Sequence, residues 1–130
     1  MGIAHHSNYL VWFEVGRTDL CRLAGFSYRE IEERGFLLVV TEAGCGYRIP
    51  FRYDEEVIVQ TTIGECGSRM LRFDYELKNA AGELCASGFT RHVWLDRERR
   101  QPASAPRDLV EAFRRMSARH QKRPAPARTP

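Results

Sequence analysis

The chain is predicted to be an α+β layer pair, an antiparallel sheet curled around one long helix. Three observations lead there: a helical apolar period from Tyr9 to Leu23, period-two alternation over much of Phe36 to Leu95, and turn signals that cut that run into strands. With 130 residues, 43% hydrophobic and 28% charged, the chain fits one soluble domain, short enough for self-association to add useful burial. No apolar run approaches the roughly 20 residues that a bilayer requires, so no membrane span is expected. The N-terminus has no charged region followed by an apolar stretch and a cleavage site, which makes the cytoplasm the default location.

The first element follows from Tyr9, Trp12, Phe13, Gly16, Leu20 and Leu23, which share one helical face, with Ser7 or Asn8 as N-cap and Gly25 as a left-handed stop. Gly16, near the middle of that face, lets the backbone approach a neighbouring layer closely. Ser27 then caps a shorter helix, Tyr28 through Arg34, with Glu30 completing a capping box and Gly35 ending it. Leu37 to Val40 reads as a buried strand start, and Cys45 to Arg52 continues extended with Pro50 at an edge or bulge. Glu56 to Cys66 alternates as a strand, Gly67-Ser68 fits a two-residue hairpin turn, and Leu71, Phe73, Tyr75 and Leu77 alternate with charged neighbours. Asn79 to Gly82 makes the next turn, and Glu83 to Leu95 is the last strand, on which Arg91 and His92 fall on opposite faces, one packed and one solvated. After the 102–106 loop, Pro106 opens a helix whose Leu109, Val110, Phe113 and Met116 share a face for packing on the sheet edge. A four-strand sheet on one helix is thin, and its unpaired edge suggests a fifth strand that this chain lacks.

Cys21, Cys45, Cys66 and Cys85 are widely spaced and match no zinc or redox motif, so they read as buried thiols. His5 and His6 are neighbours that point apart with no third ligand evident, so no metal site is expected. The formal charge is +3, and the basic excess lies late, in Arg107, Arg114, Arg115, Arg119, Lys122, Arg123 and Arg128 against Asp108 and Glu111. Interleaved prolines and the lack of an aromatic platform make residues 119–130 a basic, proline-rich, unfolded tail and leave no nucleic-acid partner.

His6, Ser7 and Asn8 stand just ahead of the long helix, where unpaired N–H groups and the positive end of the macrodipole suit an oxygen that gains negative charge. Around them, Met1-Gly2 to His6, Asn8-Tyr9, Trp12-Phe13-Glu14 and Arg17 carry a resemblance, continued by Gly25-Phe26-Ser27-Tyr28, Tyr47-Arg48-Ile49-Pro50 and Tyr53-Asp54-Glu55. Together they resemble the 4-hydroxybenzoyl-CoA thioesterase branch of the hotdog-fold acyl-CoA thioesterases, over residues 1 to 118.

The resemblance implies a hotdog fold, an acyl-CoA substrate held at the interface of a homodimer or homotetramer, and hydrolysis of the thioester without a cofactor. It implies that His6 is a catalytic position, its backbone N–H facing the thioester oxygen. Near a helix N-terminus its imidazole is expected to be neutral. Gly2 falls in the turn before the helix, Asn8 and Tyr9 match the pair that opens it, and Arg69 matches a basic position that meets CoA phosphates. The family's catalytic Asp belongs to an Asp-x-x-Gly motif and would fall two residues before Met1, with the first strand ahead of it. The expectation is therefore either an active enzyme whose product is longer, or a non-catalytic hotdog module that binds acyl-CoA or assembles. Glu14 lies eight residues after His6, about 12 Å along the axis, too far to substitute within one subunit. It reads better as a partner of Arg17 or Arg22 on the helix surface or at a subunit contact.

Overall fold

The computed structural model describes residues 7–52, 54–118 and 123–128. The long helix is α1 (Ser7–Ala24), followed by α2 (Tyr28–Glu33), β1 (Phe36–Tyr47), β2 (Glu56–Cys66), β3 (Met70–Lys78), β4 (Leu84–Asp96), α3 (Arg107–Ala118) and β5 (Arg123–Arg128). The strands form one antiparallel sheet in the order β1-β4-β3-β2-β5, and α1 lies across one face of it, the hotdog arrangement.

Apolar periodicity places the core. Tyr9, Trp12, Phe13 and Leu20 of α1 are buried against Val57, Val59, Leu71, Phe73, Tyr75 and Leu77 of β2 and β3, whereas Leu23, at the end of the same predicted stripe, is 39% exposed. The Phe13 and Tyr75 rings stack with centroids 4.3 Å apart. Gly16 makes the layer contact possible, because a Cβ there would collide with the Thr61 and Val59 side chains. The helix ends at Gly25 (φ +103°), and the Ser27–Glu30 capping box starts α2 as expected.

Four features differ from the sequence reading. First, Leu37 to Val40 is not buried: Val39 is 36% and Val40 43% exposed, because β1 is the outermost strand and has β4 on one side only. It is one strand with an irregularity between Val40 and Glu42, ending at Tyr47, after which the Arg48 and Ile49 N–H groups both donate to the Cys85 carbonyl. Second, Gly67, Ser68 and Arg69 all separate β2 from β3, closed by the Gly67 N–H on the Met70 carbonyl, so the hairpin loop is longer than two residues. Third, α3 packs over the sheet face, with Phe113 6.4 Å from both Phe73 and Trp94, where its apolar stripe finds aromatic partners in two inner strands.

The fourth difference is at the C-terminus. Residues expected to stay unfolded include Arg123–Arg128, which pairs antiparallel with β2 from Glu56↔Arg128 to Thr61↔Arg123. Composition pointed to a solvated tail, but an unpaired β2 edge offers a row of backbone groups to any segment that reaches it. Pro124 and Pro126 occupy alternate positions of β5, a spacing compatible with an outer strand whose missing N–H groups face away from the ladder. Of the four cysteines, Cys21 and Cys85 are buried, while Cys45 and Cys66 are only half-buried.

Candidate active site

The start of α1 is held by an aromatic cluster. Tyr9 is 2% exposed, its ring 4.7 Å from Tyr47 and 5.0 Å from Trp12, and Trp12 in turn meets Phe51 at 5.2 Å. The Tyr9 hydroxyl is hydrogen-bonded to the Phe51 backbone, although burial outweighs that contact and pushes its pKa up. Tyr9 thus fixes where the helix begins, with Asn8 half-buried beside it. The first turn carries no acidic side chain, so its N–H groups and the positive dipole end are not offset within the helix. Gly2 and His6 lie outside the described residues.

A cavity of about 220 Å³ lies beside α1 from Leu10 onward, walled by Leu10 and Val11 on the helix and by Val40 and Ala43 on β1. Its polar lining is Glu14, Arg17 and Thr90. Leu10, Val11 and Val40 are 51%, 48% and 43% exposed, so its apolar wall is continuous with an open band along α1 and β1.

Arg17 does not pair with Glu14. It turns inward, half-buried, and its guanidinium lies beside the Tyr75 and Tyr28 hydroxyls. Tyr75 Oη is 2.6 Å from Thr90 Oγ1, which is 2.9 Å from His92 Nε2. Arginine only donates, so Tyr75 faces Arg17 as an acceptor, and either hydroxyl of the Tyr75–Thr90 pair can donate to the other. His92 is buried, whereas Arg91, on the opposite face, is half-buried beside Glu42 and Glu65 rather than fully solvated. Burial first, and then the charge of Arg17, depress the His92 pKa from 6.5 to about 4, so the ring is neutral near pH 7. Periodicity marks these residues as inward-facing but says nothing of their joining into a chain, because they come from α1, α2, β3 and β4. The one available signal was a cation at the edge of an apolar helical stripe.

Arg69 is exposed and far from the start of α1. Tyr9 packs on Tyr47, whose partner on β4 is Ala86, whereas the Arg69 carbonyl accepts from the Trp94 N–H at the other end of that strand. Eight residues at about 3.4 Å each separate Ala86 from Trp94, roughly 27 Å. Within one chain, Arg69 and Asn8 therefore do not converge.

The model of the thioesterase-like superfamily matches residues 1–113. YneP of Bacillus subtilis (strain 168), whose name assigns it provisionally to the acyl-CoA thioesterases, is 38% identical over 102 residues, which cover 78% of this chain and 74% of YneP. The crystal structure of a DHNA-CoA thioesterase from Staphylococcus aureus superposes with a TM-score of 0.85 at 32% identity, covering 91% of this chain and 81% of that one. The hypothetical protein TT1821 from Thermus thermophilus superposes with a TM-score of 0.83 at 39% identity, covering 89% and 88%. With its sheet wrapped on α1, a first helical turn free of acidic side chains and a cavity along the helix, the chain belongs to the thioesterase-like superfamily.

Proposed function

We propose that this protein hydrolyses an acyl-CoA thioester, with the carbonyl oxygen at the start of α1. The observation that carries the reading is the helix start without acidic side chains, fixed by buried Tyr9 and opening beside the apolar cavity. Water attacks the thioester carbonyl, negative charge moves onto its oxygen, and helix N–H groups stabilise that oxygen more in the transition state than in the substrate. The intermediate collapses with loss of the CoA thiolate. Asn8 and the backbone at His6 and Gly2 are the groups we assign to holding the thioester, with His6 orienting the water or the carbonyl. Tyr9 positions the helix beneath them. Within the superfamily we place the chain in the 4-hydroxybenzoyl-CoA thioesterase branch on the motifs running from Asn8-Tyr9 to Tyr53-Asp54-Glu55, and we propose a cytoplasmic location.

Two copies are part of this reading. The exposed apolar residues Leu10, Val11 and Val15 of α1 and Val39 and Val40 of β1 adjoin the sheet edge formed by β1. Antiparallel pairing of two β1 edges would continue the sheet and cover that band. It would also set the Arg69 end of one subunit beside the α1 start of the other, so that Arg69 meets the CoA phosphates of the neighbouring site.

Free-thiol release from short, aromatic and long acyl-CoAs tests the reaction. The resemblance puts the base or nucleophile in an Asp register ahead of residue 1, so the assay is run on this chain and on one extended upstream. Thiol release by either supports the reading, and inactivity of both on every substrate overturns it. Mixing Asn8→Ala with Arg69→Ala protein tests the shared site, because only subunit exchange creates a site with both residues intact. Activity above that of either variant alone is expected, and no gain on mixing sinks the shared arrangement.

A further inference from the structure

The groups packed against the Arg17 guanidinium are neutral, and the nearest acidic residue lining its cavity, Glu14, makes no ion pair with it. The Tyr75 and Tyr28 hydroxyls face its guanidinium, Cys21 and His92 stand behind, and the Thr90 hydroxyl joins through Tyr75. Burial pushes the Cys21 thiol up to about 12 and the Tyr75 phenol up to about 12, so neither supplies a negative charge near neutral pH. The ion pairs formed among the described residues do not include Arg17. Hydrogen bonding there is also incomplete, for the Tyr28 hydroxyl and His92 Nδ1 are buried without a well-formed partner among the described residues. A half-buried guanidinium that contacts no carboxylate among the described residues favours an anion able to reach it.

The cavity provides the route. Ser7 and Arg17 are ten residues apart on α1, about 15 Å along the axis, and Leu10, Val11, Val40 and Ala43 form an apolar wall along that stretch. A long acyl chain, of about twelve carbons, extending from a thioester at the helix start would lie on that wall and end at Arg17. We propose that Arg17, with the Thr90 hydroxyl linked to it, binds a carboxylate at the far end of the acyl group, making ω-carboxyacyl-CoA thioesters the favoured substrate class. This inference rests on the thioesterase reading above. Glu14 shares the cavity, and its own negative charge restrains the preference without cancelling it, since its side chain is solvent-facing and makes no ion pair with Arg17.

Dodecanedioyl-CoA and dodecanoyl-CoA differ only in a terminal carboxylate against a terminal methyl, so the pair isolates the interaction. Calorimetric titration with their non-hydrolysable dethia analogues reads binding, and thiol release from the thioesters reads turnover. A charge-assisted, bidentate contact is expected to make the dodecanedioyl analogue bind about tenfold more tightly. Arg17→Gln should bring the affinity ratio to one or below, Arg17→Lys should retain part of the preference, and Glu14→Gln should widen it. A native ratio of one or less overturns the proposal, as does a native preference that survives undiminished in Arg17→Gln. If Arg17→Gln does not fold, the native ratio and its change in Arg17→Lys still decide. Thiol release from neither thioester, with the binding preference intact, would remove hydrolysis and leave the carboxylate site standing.

Discussion

Gly16 shows how one missing methyl sets the distance between two layers. On an isolated helix alanine is favoured over glycine by about 1 kcal/mol. At this position the added Cβ meets Thr61 and Val59, neither of which has a long flexible end to swing away, and overpacking costs about 1–3 kcal/mol. Overpacking outweighs propensity, so Gly16→Ala should lower the denaturation midpoint, and a raised one would show that α1 does not pack this tightly on β2. His92 carries a pH dependence. Its folded pKa of about 4 lies below the ordinary 6.5, so the unfolded chain takes up the proton first as pH falls. Stability is complete above 6.5 and declines through the window down to 4, by up to on the order of 3 kcal/mol. Arg17, Thr90 and Phe73 surround the ring, and none offers a charge that favours the imidazolium. Urea titrations across that range should show the decline in the native protein and a flatter profile in His92→Gln. An imidazole NMR titration midpoint above 6 for His92 would contradict the assignment.

Among the elements, α2 is short enough that its ends decide its stability. A helix of six residues has few internal bonds to set against its nucleation. The Ser27 hydroxyl accepts from the Glu30 N–H at 3.1 Å, and the Glu30 carboxylate accepts from the Ser27 N–H at 3.3 Å. Ser27→Ala removes the first bond and should cost about 1 kcal/mol, read as a lower urea midpoint with an unchanged slope. A change below a few tenths would mean that Ile31, buried under the helix, holds it alone. The strands show a different balance. β2 and β3 were readable to within a residue because alternation marks a strand with one face buried. The Val39-Val40 run in β1 was read as buried because an apolar pair looks the same whether a layer of the same chain or a second copy covers it.

For the whole molecule, that exposed pair becomes the argument for association. Val40→Asp places a charge in the band formed with Leu10 and Val11 and should shift the protein toward monomers in sedimentation velocity. It should depress thiol release in parallel, since Asn8 and Arg69 lie at opposite ends of one sheet. An unchanged sedimentation coefficient with full activity would mean that this face is not where copies meet. On the proposed reading the site is distributed: α1 would supply the polarising end and a cavity wall, β1 and β4 the opposite wall, and a neighbouring subunit the hairpin arginine.

What the amino-acid order determined alone was everything periodic or local. The apolar stripe of α1, the Ser27 capping box, the alternation of β2 and β3 and the split of Arg91 from His92 each depend on residues a few positions apart. Tertiary structure decided the direction of Arg17, the polar chain linking it to His92, the exposure of β1 and the pairing of Arg123–Arg128 with β2. Those depend on groups far apart in sequence, whose approach is set by sheet order and layer spacing and leaves no periodic trace.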